Sequence, residues 1–336
     1  MRSRVVAVFS VFVFVLLASG FAGTPSYKVV NHFKPGGDGG WDYLAVDGPG
    51  RHIYVSRGTR VQVVNADTGQ LEKEIPDTQG VHGIALAPEL HRGFISAGRA
   101  NKIVVFDDKT FATTGTVDAG ENPDAILYDP TTKRVFAFNG RSKSATIVDA
   151  QTLKVLSTLP LSGKPEYSQH DDHGNVYVNI EDLHKIAHID AKNMKVVEEW
   201  DLGKCEEPSG LAIDRKKSRL FAGCGNQEMA IVDYKAGKLL AEVPIGKGVD
   251  GAEFDPSTGY AFSANGRDGT ISVVGETSPG KFEAVQTPET MRSARTIVLD
   301  PKTHHLILPA AKFGEAQQGQ RPPMVPDSFE LVVVGQ

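Results

Sequence analysis

The segment PDAILYD, residues 123–129, is one of seven similar segments spaced almost evenly along the chain. The other six are WDYLAVD (41–47), VHGIALA (81–87), PEYSQHD (165–171), PSGLAID (208–214), VDGAEFD (249–255) and ARTIVLD (294–300). The last residues of successive segments stand 40, 42, 42, 43, 41 and 45 positions apart. Such a period is typical of an array of supersecondary units, each of which buries its apolar face only against its neighbours.

The remainder of each repeat has the composition of strands and turns. In the third repeat a turn, DPTTKR, is followed by the apolar runs RVFAF, ATIVDA and KVLSTLPL. These runs are short and rich in Val, Ile and Phe, and Asp, Pro, Gly and Thr bound them. No stretch beyond the N-terminal segment keeps a helical period. Four strands in each of seven repeats predict an all-β fold, a seven-bladed β-propeller with four antiparallel strands per blade.

The two ends of the repeat region predict how the ring closes. The seventh repeat ends with FELVVVG (329–335) and is one strand short, while YKVVNHF (27–33) precedes the first repeat and has the pattern of a strand. We therefore expect the N-terminal strand to complete the last blade, which would remove two open sheet edges.

Residues 1–22 have the pattern of a cleaved signal peptide. Arg2 and Arg4 precede an apolar stretch over 5–17, and small residues follow it up to Ala22. Thirteen residues are too few to span a bilayer comfortably. We expect residues 23–336 to form a single propeller domain that is exported to the periplasm or secreted, without a membrane anchor.

The charge of the chain argues against nucleic acid as a partner. It contains 36 basic and 41 acidic residues, for a formal net charge of −5, which becomes −7 without Arg2 and Arg4. An acidic surface does not favour binding to a phosphate backbone. We expect a monomer, because a chain of this length can bury a core by radial repetition alone.

The two cysteines of the chain, Cys205 and Cys224, flank the first two strands of the fifth repeat. Both are expected on the same face of the propeller, because successive strands alternate in direction. An oxidising compartment then favours a disulfide between them. Two free thiols that pack as small apolar residues are the alternative.

The second residue of each repeated segment is polar in all seven cases, namely Asp42, His82, Asp124, Glu166, Ser209, Asp250 and Arg295. The first strand of every propeller blade lines the central channel, so these side chains should ring one end of it, which we term the mouth. All but Ser209 are predicted ligand-binding residues, and a solvated funnel is the alternative. The residues that follow them are mostly small, which predicts an open channel.

Arginines are expected to surround this ring. Arg99, Arg141 and Arg267 stand in the loops between the second and third strands, which share the top face of the propeller with the mouth. We predict that they contact a ligand and, with other top-face arginines, hold the carboxylates ionised. Their Asn-Gly and Gly-Arg sequences are also typical of tight β turns, which leaves a purely structural role open.

The seventh repeat has a much longer loop at the same place. It covers residues 311–328, AKFGEAQQGQRPPMVPDS. Loops of this length and composition are either functional or flexible, so the segment is a candidate lid over the top face beside Arg295.

The segment YVSRGTRVQVVNADTG (54–69) joins a strand ending in Ser to the pattern V-x-V-V-[DN] and a Thr-Gly turn. It resembles the repeats of the YVTN-repeat, YncE-like propellers, a WD40-like family of exported bacterial proteins, over essentially the whole chain after residue 22. The resemblance implies a module that binds a periplasmic protein or small ligand at a polar pocket of the top face, with no cofactor assured.

A metal-dependent hydrolase of lactones or related esters is the alternative function, by analogy with propeller lactonases. Its metal would be held by Asp42, Asp124, Glu166 and Asp250, oxygen ligands that suit Ca²⁺ or Mg²⁺. His82 would then act as the general base. No catalytic motif of a known hydrolase class occurs in the sequence to decide between binding and catalysis.

Overall fold

The computed structural model describes residues 25–316 and 322–336, so the predicted signal peptide lies outside the described residues. The described chain forms seven four-stranded antiparallel sheets. The innermost strands of neighbouring sheets pack side by side in a closed cycle. This is the predicted seven-bladed β-propeller, and each sheet is one blade.

The strands follow the order of the sequence. The first strand, β1 (Lys28–Phe33), belongs to the last blade. Blades 1 to 3 comprise β2 (Leu44–Asp47), β3 (His52–Arg57), β4 (Arg60–Asn65), β5 (Leu71–Ile75), β6 (Val81–Ala87), β7 (Arg92–Ala97), β8 (Lys102–Asp107), β9 (Thr113–Asp118), β10 (Pro123–Asp129), β11 (Arg134–Asn139), β12 (Ser144–Asp149) and β13 (Val155–Pro160).

Blades 4 to 7 continue the same arrangement. They comprise β14 (Pro165–His170), β15 (Asn175–Ile180), β16 (Lys185–Asp190), β17 (Lys195–Asp201), β18 (Pro208–Asp214), β19 (Arg219–Cys224), β20 (Glu228–Asp233), β21 (Lys238–Pro244), β22 (Val249–Asp255), β23 (Tyr260–Asn265), β24 (Thr270–Ser278), β25 (Lys281–Gln286), β26 (Val298–Leu299), β27 (Leu306–Ala310) and β28 (Glu330–Gly335). The helices of the described residues are three short 3₁₀ turns, Pro88–Leu90, Gly98–Ala100 and Glu181–Leu183, and none is long and apolar enough to cross a membrane.

The hydrophobic core is divided among the seven interfaces between neighbouring blades. Each interface has its own cluster of buried apolar side chains. Side chains alternate along a strand, so β3 directs Ile53 and Val55 toward blade 7 and Tyr54 toward blade 2. Because the central strands are buried on both faces, every blade depends on two neighbours, and the ring is stable only when it is closed.

The closure of the ring follows the prediction from the ends of the chain. Strand β1 pairs with β28 in antiparallel register, with Lys28 opposite Gly335 and Phe33 opposite Leu331. The Arg57 side chain is fully buried against this closure, with its guanidinium carbon 3.5 Å from the centre of the Phe329 ring. The N-terminal strand therefore completes the last blade.

The two cysteines form the predicted disulfide. Cys205 precedes β18 and Cys224 ends β19, so both lie at the top of blade 5, with Cα atoms 5.4 Å apart. Both residues are buried. The disulfide fastens the loop that leads into the innermost strand of blade 5 to the second strand of the same blade.

Candidate functional site

The mouth of the channel is shaped by a recurring irregularity of the innermost strands. In β6, β10, β14, β18 and β22 the pairing with the next strand shifts between the first and the fourth residue. Such a bulge turns side chains away from the regular alternation. The bulged segments contain five of the seven predicted ring residues, His82, Asp124, Glu166, Ser209 and Asp250.

Three side chains of neighbouring blades meet at one side of the mouth. Nδ1 of His82 lies 2.7 Å from Oδ2 of Asp42 and 3.4 Å from Oδ1 of Asp124. One donor atom from each residue falls within 4.8 Å of the other two, a spacing that could hold a metal ion. Asp124 is buried, and the other two are half-buried.

Arg295 occupies the opposite side of Asp42. Its Nε donates to Oδ2 of Asp250 at 2.6 Å, and its Nη2 lies 3.4 Å from Oδ1 of Asp42. The same Nη2 donates to the backbone oxygen of Trp41 at 2.9 Å. Arg295, which belongs to blade 7, thereby links Asp250 of blade 6 to Trp41 and Asp42 of blade 1.

A third group of charges lies at blade 4. Nζ of Lys164 donates to Oε1 of Glu166 at 2.6 Å and also to the carboxylate of Glu181. The Tyr43 hydroxyl reaches Glu166 from blade 1, at 3.4 Å from Oε2. Ser209 takes no part in the ion pairs, since its hydroxyl donates to the backbone oxygen of Val249 at 3.2 Å.

At the mouth, the carboxylic acids outnumber the basic side chains that pair with them. Burial and the nearby charges of other acids raise the pKa values of Asp124, Glu166 and Asp250, in spite of the cations beside them. Burial acts against a charged imidazole at His82, but the hydrogen bond with Asp42 and the neighbouring carboxylates prevail and raise its pKa to about 9. His82 is therefore protonated at neutral pH.

The predicted role of the arginines in the outer ring was wrong in one respect. Arg99, Arg141 and Arg267 are exposed on top-face loops, and within the described part of the chain none forms a salt bridge with a carboxylate of the mouth. The cations that pair with the acids are His82, Lys164 and Arg295 instead. Despite these cations the pKa values of Asp124, Glu166 and Asp250 are raised, which is the direction opposite to the one expected.

The prediction of an open channel was also wrong. The residues that follow the ring positions are mostly small, but two of them are Tyr43 and Tyr167, whose ring centroids lie 4.9 Å apart with the planes at 62°. Blades 1 and 4 face each other across the ring, so the two side chains meet in the middle of the channel. Below them remains a cavity of about 270 Å³, whose lining includes Tyr167, Gln169 and His170.

Sequence reasoning missed two residues beside the mouth. Lys164 is the only basic residue that directly precedes one of the seven segments, a signal that could have identified it. Phe313 is exposed and lies in the long loop of blade 7, with its ring centroid 6.0 Å from that of Trp41. The described part of this loop thus contacts the top face next to Arg295, while residues 317–321 lie outside the described chain.

Comparison with known proteins gives no further guide to function, because no protein-family model and no curated protein matches the chain.

Proposed function

We propose that this protein is an interaction module that receives a positively charged group of its ligand or partner at the mouth of the channel. The observation that carries the proposal is an excess of acids, five carboxylates against three cations: Asp42, Asp124, Glu166, Glu181 and Asp250 against His82, Lys164 and Arg295. All three cations already pair with acids, so an anionic ligand would have to break an internal ion pair. A cationic group would instead add positive charge at a place where each of the three cations is shared by two of the acids.

The raised pKa values of the carboxylic acids also favour a cationic ligand over an anionic one. Burial and mutual repulsion make Asp124, Glu166 and Asp250 retain protons more readily than ordinary acids. A bound cation would relieve this repulsion. The β-propeller fold suits such a module, because it places loops of seven blades around one rigid recess.

The class of protein and its location extend this proposal. The repeat signature in residues 54–69 supports a YVTN-repeat, YncE-like propeller, and the N-terminal pattern over residues 1–22 supports export to the periplasm. The partner in this proposal is a periplasmic protein or small ligand with an amine, guanidinium or metal cation, and the propeller acts as a monomer.

The grouping of Asp42, His82 and Asp124 favours one alternative, a metal-dependent hydrolase. Two carboxylates and an imidazole are a suitable donor set for a divalent cation, and such an ion would polarise a substrate carbonyl. Glu166 and Asp250, also candidate ligands, are each engaged by a cation, Lys164 or Arg295.

The contacts of His82 favour binding over catalysis, because its Nδ1 already faces two carboxylates, Oδ2 of Asp42 at 2.7 Å and Oδ1 of Asp124 at 3.4 Å. A general base must be free of its proton, whereas the pKa of His82 is raised to about 9. If His82 instead bound the metal, it would also have to lose this proton first. Hydrolysis of a lactone panel in the presence of Mn²⁺, abolished by Asp124→Asn, would favour the enzyme over the interaction module.

The proposed cation site is tested by thermal unfolding in the presence of CaCl₂, MgCl₂, MnCl₂, ZnCl₂ or putrescine, with NaCl added to equal ionic strength. We expect a saturable rise in the unfolding temperature with at least one of these cations. The rise should disappear in Asp42→Asn/Asp124→Asn and persist in the control Asp118→Asn, whose carboxylate is 91% exposed. No rise with any of the five, or an equal rise in the double variant, would overturn the proposal.

A further inference from the structure

A second recess lies on the top face between blades 6 and 7, on both sides of Phe313. Its outer part, about 590 Å³, is lined by Met291, Arg292, Lys312 and Phe313, and its inner part, about 360 Å³, extends to Trp41. The two parts share Arg267 and Phe313, so they form one continuous depression. We name it the Phe313 groove, defined by Trp41, Arg267, Met291, Arg292, Lys312 and Phe313.

The apolar wall of the groove is held in place although it faces solvent. Phe313 is 47% exposed, but its strand-like bridge to Met324 fixes the backbone on either side of it. Gly314 donates to the backbone oxygen of Pro323 at 2.9 Å, and Val325 donates to that of Lys312 at 2.9 Å. An aromatic ring fixed in an exposed position beside Trp41 is a surface suited to an apolar ligand.

The rim of the groove carries positive charge without internal partners. Arg267, Arg292 and Lys312 are exposed, and among the described residues none of the three forms a salt bridge. This distinguishes them from the cations of the mouth, which all pair with acids. Asp250, at the inner end, is already paired with Arg295 at 2.6 Å.

Both arginine side chains of the rim pass closely over glycines. A Cβ atom on Gly248 would lie 2.5 Å from Cγ of Arg267, and one on Gly269 would lie 3.3 Å from Cγ of Arg292. Both glycines also have positive φ, +76° and +70°. The absence of a Cβ atom therefore leaves room for the stem of each arginine to lie beside the backbone of the glycine.

We propose that the Phe313 groove binds a small anionic amphiphile. Its apolar body packs against Phe313, Trp41 and Met291, and its anionic head lies among Arg267, Arg292 and Lys312. The volumes of the two parts are those of sites for small organic molecules. The rim of the groove has the opposite charge preference to the mouth, and the two sites adjoin at Asp250 and Arg295.

Trp41 provides a direct readout of the groove. The chain contains two tryptophans, and the other, Trp200, lies in β17 at the outer edge of blade 4. Trp200→Phe therefore leaves Trp41 as the sole tryptophan reporter. Octanoate, octyltrimethylammonium and acetate serve as probes, the first two with the same tail and opposite charges.

We expect octanoate to change Trp41 emission saturably and acetate to have no effect. Octyltrimethylammonium should have an affinity at least about tenfold lower than that of octanoate. Octanoate binding should weaken about tenfold in Arg267→Gln/Arg292→Gln. It should be unchanged in Arg99→Gln/Arg141→Gln, which removes exposed arginines from the equivalent loops of blades 2 and 3. These comparisons use the Trp200→Phe background.

Calorimetry with Phe313→Ala checks the apolar wall without relying on Trp41 emission, and a lower affinity for octanoate is expected. Absence of octanoate binding, equal losses in the two arginine pairs, or equal binding of both charged probes to Asp42→Asn/Asp124→Asn, which lacks the cation site, would overturn the proposal. Asp42→Asn/Asp124→Asn should bind octanoate normally, so failure of the cation site and failure of the groove are distinguishable.

Discussion

Tyr43 of blade 1 and Tyr167 of blade 4 meet across the channel, with ring centroids 4.9 Å apart and the planes at 62°. This pair divides the channel into the charged mouth above and a cavity of about 270 Å³ below. The burial of Tyr43 and the carboxylates around it raise the pKa of its phenol, so the hydroxyl stays neutral. The two rings therefore form an aromatic floor beneath the charged groups of the mouth.

The packing of Tyr43 in the aromatic floor predicts that two substitutions of this residue differ in their effect on the free energy of unfolding. Tyr43→Ala removes a ring that is 5% exposed and should lower the free energy of unfolding by about 3 kcal/mol, since it leaves a cavity. Tyr43→Phe keeps the ring and loses only the 3.4 Å hydrogen bond to Glu166, so it should cost less than about 1 kcal/mol. Urea unfolding measures both, and equal losses would contradict the packing role of the ring.

The disulfide of blade 5 should contribute to stability through the loop that it closes. Cys205 and Cys224 are 19 residues apart, and the chain-entropy model gives about 3 kcal/mol for a loop of that size. We expect Cys205→Ala/Cys224→Ala to lose about this much in denaturant unfolding. The wild type measured in reductant should show a similar loss, and the double variant should not respond to reductant.

The contact between blades 7 and 1 depends on one bidentate ion pair. Arg51 donates to both carboxylate oxygens of Asp300, at 2.8 and 2.9 Å, and Asp300 is 2% exposed. Arg51→Gln should cost about 2 kcal/mol or more, because it leaves the buried carboxylate without its cation. Asp67→Asn, which removes the half-exposed second partner of Arg51, should cost less than about 1 kcal/mol. Similar losses in the two variants would contradict this assignment.

Glu253 predicts how stability depends on pH. Burial in the channel wall raises its pKa to about 8, so the folded protein holds a proton that the unfolded chain loses at its ordinary pKa of 4.5. Stability should therefore fall as pH rises from 4.5 toward 8. Glu253→Gln should reduce this decline and stabilise the protein by about 2 kcal/mol above the folded pKa.

Thermal unfolding across that range measures the effect of Glu253. Glu121→Gln, which alters an exposed glutamate on the top face, is the control and should follow the wild type. A pH profile of Glu253→Gln identical to that of the wild type would show that Glu253 is ionised in the folded protein.

The sequence alone predicted the propeller because the period, the strand lengths and the turn residues are all local properties of the repeats. The ring of second residues was also predictable, since symmetry places equivalent positions at equivalent points. The bulge that recurs in β6, β10, β14, β18 and β22 turns those residues toward the mouth. Each blade repeats the same geometry, so one alignment describes them all.

What the repeat could not predict depends on contacts across the ring. Tyr43 and Tyr167 are separated by three blades, and only the closed structure brings their rings together. The pairing of Lys164 with Glu166 and Glu181 likewise depends on side-chain reach between loops. The charge state of the mouth follows from burial, which residue types alone do not reveal.

The most direct test of the central claim is calorimetric titration of CaCl₂, MnCl₂ and putrescine into the wild type and Asp42→Asn/Asp124→Asn at neutral pH. We expect saturable binding of at least one cation to the wild type and a loss of about tenfold or more in affinity in the double variant. Lack of binding by every cation, or equal affinity in the two proteins, would contradict a cation site at the mouth.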